Sequence, residues 1–322
     1  LIVGGGPAGA ACARRLAMGG VHALILDKAE FPRQKPCAGW ITPQALGLIM
    51  QLFGGYPHGL THFERFDISV RGFRFRMRTN QYAIRRIELD DWMLQGSGAR
   101  VVRYAACGIA GSNGNFIVDD RFRAPCLVGA GGTLCPVRRY VTRGMHDRQD
   151  AGHAVEREGL VVALEEEFRY PHKDTKCRLW FLQDRLPGYA WYVPKADGYV
   201  NVGVGGKVDT LRKNADSLKR HWDGLVERLA GESLVAGREF HPRGHSYRLQ
   251  GRHTLLGKGR VYLVGDAAGL ATVDMGEGIG PAIQSGILAA ESILTGGEYR
   301  LDSIPRYSLP SLVGLRKRNR SA

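Results

Sequence analysis

The chain has 322 residues, 44% hydrophobic and 24% charged, enough apolar material for one large or two modest domains, and it excludes collagen, disulfide-knot scaffolds and wholly disordered tails. No stretch approaches the ~18 uninterrupted apolar residues of a spanning helix. A net charge of +14 suits nucleic acid, anionic lipid or an acidic small molecule and selects none of them. The six cysteines, Cys12, Cys37, Cys107, Cys126, Cys135 and Cys177, have neither CxxC pairing nor zinc-ligand spacing, so they read as reduced thiols of a cytoplasmic protein, and no metal is expected. The chain opens at Leu1, without Met and already in a strand pattern, so a few residues are expected to precede it.

Residues 1–27 predict strand, glycine turn, small-residue helix (Ala10 to Met18) and strand, a βαβ unit with a dinucleotide fingerprint. Gly4 permits the tight turn, Gly6-Pro7-Ala8 lets a pyrophosphate approach the helix N-terminus, and Gly9 with Ala13 lets helix and strand pack closely. Asp27, 18 residues beyond Gly9, is placed to accept hydrogen bonds from a ribose, with Lys28 beside it. Phe31 to Trp40 is an irregular loop whose Arg33 and Lys35 face either phosphate or solvent. Cys37, followed by Ala38-Gly39, is either a cofactor neighbour or a small buried hydrophobe.

From about Leu60 to Met77, aromatic and aliphatic residues alternate with Arg71, Arg74 and Arg76. A period of two predicts antiparallel strands with one buried face and accounts for both residue types without nucleic acid, which is not expected as a partner. A helix starts near Arg86, with Asp90 as its cap. Strands are predicted at Val101 to Arg103 and Ala124 to Gly129, then a glycine cluster, Gly129-Ala130-Gly131-Gly132. Four more strands, Leu160 to Leu164, Arg178 to Leu182, Tyr189 to Val193 and Tyr199 to Val204, predict a separate antiparallel sheet, followed by an amphipathic helix from about Thr210 to Leu229. Pro194 is expected to end or edge its strand.

After the predicted strand Arg260 to Val264 come Gly265-Asp266-Ala267-Ala268-Gly269 and then Met275-Gly276-Glu277-Gly278-Ile279-Gly280, opening a helix to Ile293. One dinucleotide needs one phosphate loop, so a second glycine motif suggests a cofactor with a second end to hold, and FAD fits. Asp266 is placed for ribityl or pyrophosphate hydroxyls, and Gly276, Gly278 and Ile279 for the flavin pyrimidine, where a helix N-terminus favours the negative charge of a reduced flavin. The expected fold is mixed α/β (α+β): a Rossmann-like FAD-binding domain (1–59, 84–145 and 250–300) with an inserted antiparallel-sheet substrate domain (60–83 and 146–249) and a basic C-terminal tail (301–322).

The segments GGGPAG, FPRQKPCAGW, RRIELDDW, GYAWYVPKADGYVNVGVGG and GDAAGLATVDMGEGI together resemble the geranylgeranyl reductase family of flavoproteins, with a para-hydroxybenzoate hydroxylase-like fold. The most specific match is Tyr189-Ala190-Trp191-Tyr192-Val193-Pro194, against a family pattern YxWxFP with Phe where this chain has Val193. The resemblance implies FAD-dependent saturation of isoprenoid double bonds, Tyr189, Trp191, Tyr192 and Pro194 on the substrate, Cys37 near the flavin and Arg86 reaching the cofactor. Tyr189 is the candidate proton donor, with Cys37 or water as alternatives. The family's usual Gly-Ala-Asp-Gly is Gly129-Ala130-Gly131-Gly132 here, and no second GxGxxG serves NADPH, so NADPH or ferredoxin is expected as electron donor.

The rival readings are a flavin-dependent monooxygenase or halogenase, and a non-catalytic flavoprotein electron carrier or lipid binder. Expected partners are an isoprenoid or lipid substrate, a redox partner protein and an anionic membrane surface; the expected location is cytoplasmic, peripheral at the inner membrane surface.

Overall fold

A computed structural model describes residues 1–112, 114–143, 159–171, 175–251 and 254–309. The chain starts with β1 (Ile2–Val3), α1 (Pro7–Met18) and β2 (Leu24–Asp27). Pro7 opens α1, where a missing N–H costs nothing, and Ala10, Ala11 and Ala13 are buried, so the helix packs at backbone distance. β3 (Trp40–Ile41) and α2 (Pro43–Phe53) lead to a long hairpin, β4 (Thr61–Val70) and β5 (Phe73–Ala83). α3 (Arg86–Gln95) and β6 (Arg100–Arg103) follow.

Asp90 does not cap α3. Arg85 holds the N-cap position, and Asp90, a turn inside the helix, takes two hydrogen bonds from Arg86 at 2.7 and 2.9 Å. The i, i+4 spacing makes that pair, which keeps a fully buried carboxylate inside a helix.

A meander of β7 (Ile109–Ser112), β8 (Asn115–Val118) and β9 (Phe122–Ala124) precedes β10 (Leu127–Gly129) and α4 (Pro136–Arg143). The strand expected over 124–129 is thus divided around Pro125, which lacks the N–H a ladder needs. β11 (Leu160–Arg169), β12 (Cys177–Phe181), β13 (Gly188–Lys195) and β14 (Tyr199–Lys207) lead to α5 (Val208–Lys213) and α6 (Leu218–Gly231). The single helix expected from Thr210 breaks between these two, with Ala215 at φ 49° and Ser217 capping α6. β13 continues through Pro194, which pairs with Val200 of β14; β12 does not extend alongside it, so its missing donor leaves no partner unmet.

β15 (Arg243–Arg248), β16 (Gly257–Lys258), β17 (Val261–Leu263) and α7 (Ile279–Thr295) complete the order. One sheet runs β16-β17-β10-β1-β2-β6, parallel except for β16. The second runs β15-β11-β14-β13-β12-β4-β5-β3, antiparallel except between β12 and β4. Its two faces bury different clusters: Trp40, Phe66, Leu179, Trp191, Val193 and Met275 on one, and Tyr192, Val202, Val204 and the α6 residues Trp222, Leu225 and Leu229 on the other. Leu301 and Ile304, grouped by sequence with the tail, are buried against the parallel sheet, while Arg316, Lys317, Arg318 and Arg320 lie outside the described residues. Among the described residues no helix is long and apolar enough to cross a membrane, and no cluster suits a metal ion.

Candidate functional site

The two glycine motifs, far apart in sequence, meet in space. A Cβ placed on Gly265 would lie 3.2 Å from Ala8 and from Ala282, and one on Gly286 of α7 would lie 2.2 Å from the Ala8 carbonyl. Gly9 is required for the same reason, since a Cβ there would reach 2.0 Å from the Gly4 carbonyl.

Both helices that point into this junction, α1 from Gly6 and α7 from Gly278, begin without a side-chain cap on their N-terminal residue. The first amides and dipole of α1 suit an anionic group, whereas at α7 the Glu277 carboxyl already takes the Gly280 amide. Arg33 Nη2 stands 3.5 Å from where a Gly6 side chain would begin, and 3.3 Å from Asp90 Oδ2. Two guanidinium groups, Arg33 and Arg86, therefore share the Asp90 carboxylate, with Asp27 also near Arg33. Burial lowers the Arg33 pKa; burial also opposes the Arg86 charge, but Asp90 and Cys37 beside it outweigh burial and its pKa rises.

Asp27 Oδ2 accepts from the Gly5 amide at 2.6 Å and Oδ1 from Ala29 at 2.8 Å, so this carboxylate braces the turn at the ribose position. Lys28 is exposed. Asp266 follows β17, its Oδ1 3.5 Å from where a Gly278 side chain would begin, and Glu277 caps α7 by accepting from the Gly280 amide at 2.7 Å. Burial raises the Glu277 pKa to about 7. An amide-rich helix end at Gly6, the guanidinium of Arg33 beside it and the carboxylates of Asp27 and Asp266 on the two glycine motifs fit FAD.

The second sheet meets this cradle at Met275-Gly276. The Tyr189 hydroxyl donates to the Met275 carbonyl at 2.6 Å, and a Gly276 side chain would collide with the Tyr247 hydroxyl at 2.4 Å. Tyr189 stacks with Trp40, ring centroids 6.1 Å apart, and lies 5.6 Å from Trp191. Strand alternation puts Tyr189 and Trp191 on the face toward the loop. Tyr192, expected beside the substrate, is buried on the opposite face among the α6 contacts, and Pro194 shares its parity.

Ala38 packs at the edge of the Trp40 and Trp191 cluster. Cys37 Sγ accepts from the Gly39 amide at 3.3 Å, and its carbonyl accepts from both Asn201 Nδ2 and Lys195 Nζ, each at 3.3 Å. Asn201 Oδ1 in turn accepts from the Trp191 indole at 2.7 Å, and Lys195, fully buried, bonds Glu167 at 2.5 Å. Glu167 also pairs with Arg85. The sequence reading missed Lys195, Glu167, Glu165 and His245. For the two carboxylates the signal was the run Glu165-Glu166-Glu167 in a strand that starts apolar; Lys195 and His245 had none.

A family of FAD-binding domains matches residues 1–53. Over 314 residues the chain is 30% identical to a menaquinone reductase of Mycobacterium tuberculosis, covering 90% of this chain and 75% of that protein. It is 27% identical to a chloroplastic geranylgeranyl diphosphate reductase of Nicotiana tabacum, covering 92% of this chain and 66% of that one. A geranylgeranyl bacteriochlorophyll reductase-like protein from Thermoplasma acidophilum shares the fold, with a TM-score of 0.73 at 22% identity over 92% of this chain and 78% of that one. With a cradle that fits FAD and homology along nine tenths of its length, the chain belongs to the geranylgeranyl reductase family of FAD-dependent oxidoreductases.

Proposed function

We propose that this oxidoreductase saturates carbon–carbon double bonds of an isoprenoid chain, either free as a diphosphate or attached to a quinone or lipid. The observation that supports it is the aromatic face of Tyr189, Trp191 and Trp40, laid against the Met275-Gly276 loop of the cofactor cradle. When bound and reduced, FAD supplies a hydride and its two electrons. The protein orients an apolar chain along that face and excludes water, so that an unactivated alkene meets the reductant at close range. The electron donor in this reading is NADPH or a ferredoxin.

The exposed tip of the β4–β5 hairpin supports a reading in which the substrate is supplied from a membrane surface. Phe73 and Phe75, 79% and 45% exposed, extend the same sheet face as Ile68 and Phe66 out to the tip. Arg74 and Arg76 alternate with them on the other face, where they pair with Glu232 and Asp67, so the exposed aromatic tip carries this reading. Flotation with anionic liposomes at low salt should carry the protein up, and Phe73→Ser/Phe75→Ser should weaken it; failure to float with either anionic or neutral liposomes removes the membrane from the reading.

The reaction itself is tested by anaerobic reduction with dithionite, then mass spectrometry of geranylgeranyl diphosphate and of a menaquinone for a gain of two hydrogens. Rapid oxygen consumption with substrate hydroxylation or halogenation, and no such gain, would assign the rival monooxygenase chemistry.

A further inference from the structure

We propose that Glu165 is a catalytic residue of this reaction, the acid that protonates the alkene carbon opposite the one receiving hydride. The inference rests on the reductase reading above.

One ladder row crosses the second sheet as Ile68, Leu179, Trp191, Gly203 and Glu165, on β4, β12, β13, β14 and β11. Gly203 makes the row work. A Cβ there would lie 2.2 Å from Trp191 Cζ2 and 2.8 Å from Glu165 Cβ, so the indole lies over the glycine and its benzo edge comes up beside Glu165. A substrate resting on Trp191 therefore ends its apolar wall at a carboxyl group.

Glu165 is 2% exposed, and its Oε2 has no hydrogen-bond partner among the described residues. Asn201 hydrogen-bonds the carboxyl, and with Oε2 left over a buried carboxylate would be costly, whereas a neutral acid is tolerated and holds a proton to give. The surrounding groups are Glu167 on its own strand, Lys195 and Asn201 on β13 and β14, Lys35 on the Cys37 loop, and Tyr247 and Arg243 on β15. His245, also on β15, has a buried Nδ1 without a partner and is kept neutral by burial first, then by Lys35 and Arg86. Burial likewise raises the Glu165 pKa, to about 8, against the opposing pull of Lys195.

Of the residues proposed from sequence as donors, Tyr189 commits its proton to the Met275 carbonyl, while the Cys37 sulfur accepts from the Gly39 amide and lies beside Arg86. In the balanced step the C=C π bond opens, one carbon takes the hydride, the other takes the Oε2 proton, and two C–H bonds form. The carboxylate left behind is steadied by Lys195 and Lys35 until solvent returns the proton.

The test uses FAD-loaded wild type, Glu165→Gln and Glu165→Asp, each checked for flavin content and thermal midpoint. Infrared difference spectra at neutral pH should show a protonated-carboxyl carbonyl band that is absent in Glu165→Gln and bleaches in wild type with a midpoint near pH 8. In single turnover with geranylgeranyl diphosphate or a menaquinone, Glu165→Gln should slow alkene reduction by roughly 10²-fold or more, with Glu165→Asp recovering part of it. Reoxidation of the same reduced variants by ferricyanide should match wild type. Wild-type single-turnover rates in Glu165→Gln would overturn the assignment while leaving the reaction standing. Failure of wild type to saturate any polyprenyl chain would overturn both.

Discussion

Lys195 donates to the carbonyl of Cys37 across 3.3 Å, joining the strand that bears Trp191 to the loop that borders the cofactor cradle. Asn201 repeats the connection, since one side chain bonds both the Trp191 indole and the same carbonyl. The aromatic wall and the Cys37 loop are thereby fixed relative to one another, as a reaction between two bound molecules requires.

Lys195→Met should cost stability while leaving the fold intact. The ammonium is fully buried, but Glu167 keeps Arg85 and the Cys37 carbonyl keeps Asn201, so the loss falls at roughly 1–3 kcal/mol, below that of a carboxylate left wholly unpaired. Calorimetry of the holoprotein should show a lower midpoint; an unchanged one would mean that the loop is held by something else.

The nucleotide half of this arrangement was legible because its signals are local. The turn at Gly4 to Gly9, Asp27 and the loop at Gly265 to Gly280 each announce themselves within a few residues, and the fold brings them together. The clamp was not legible. Lys195, Asn201 and Glu167 come from three strands whose order, β11-β14-β13, is set by long-range pairing that no short window contains. Tyr192 misled for a related reason: a motif quotes consecutive residues, and a strand sends every second one to the other face. Asp90 misled because an acid near a helix start suggests a cap, whereas an Arg at i−4 makes it an internal ion pair.

Asp266→Ala should strip much of the FAD, measured as flavin absorbance per chain after gel filtration. The residue belongs to the second glycine motif and lies beside Gly278. Lys28→Ala is the contrast: exposed, unlike the half-buried Arg33 and the buried Arg86, it should keep full occupancy. Full occupancy in Asp266→Ala would reassign the ribityl end of the site.

Trp191→Ala and Tyr189→Phe should retain FAD and lose turnover. Removing the indole takes away apolar contact worth roughly 1–3 kcal/mol of substrate binding and frees Asn201 from one partner. Gly203→Ala should reproduce the effect, because its new methyl occupies the space of the ring. Alkene turnover by all three at the wild-type rate would make these aromatics packing residues only.

Stability should fall as pH rises from about 6.5 to above 8, with Glu165 as a main cause. Its ordinary pKa of 4.5 rises to about 8 in the native protein, and burial takes Glu277 from 4.5 to about 7. For each, the native state binds a proton that the unfolded chain has released, so the stability present below the unfolded value is lost as pH climbs through the folded one. His245 has the opposite sign: depressed from 6.5 to about 3 by burial, it contributes stability above 6.5 that is lost as pH falls toward 3. Between about 4.5 and 6.5 the two effects oppose each other, and above 6.5 only the carboxyl groups remain. Glu165→Gln has no proton to lose at that position, so its stability relative to wild type should improve by on the order of a few kcal/mol between pH 5 and pH 8. Thermal midpoints of both proteins across that range measure the gap; a gap that stays constant would mean that Glu165 is ionised in the native state, and its role as an acid would fall with it.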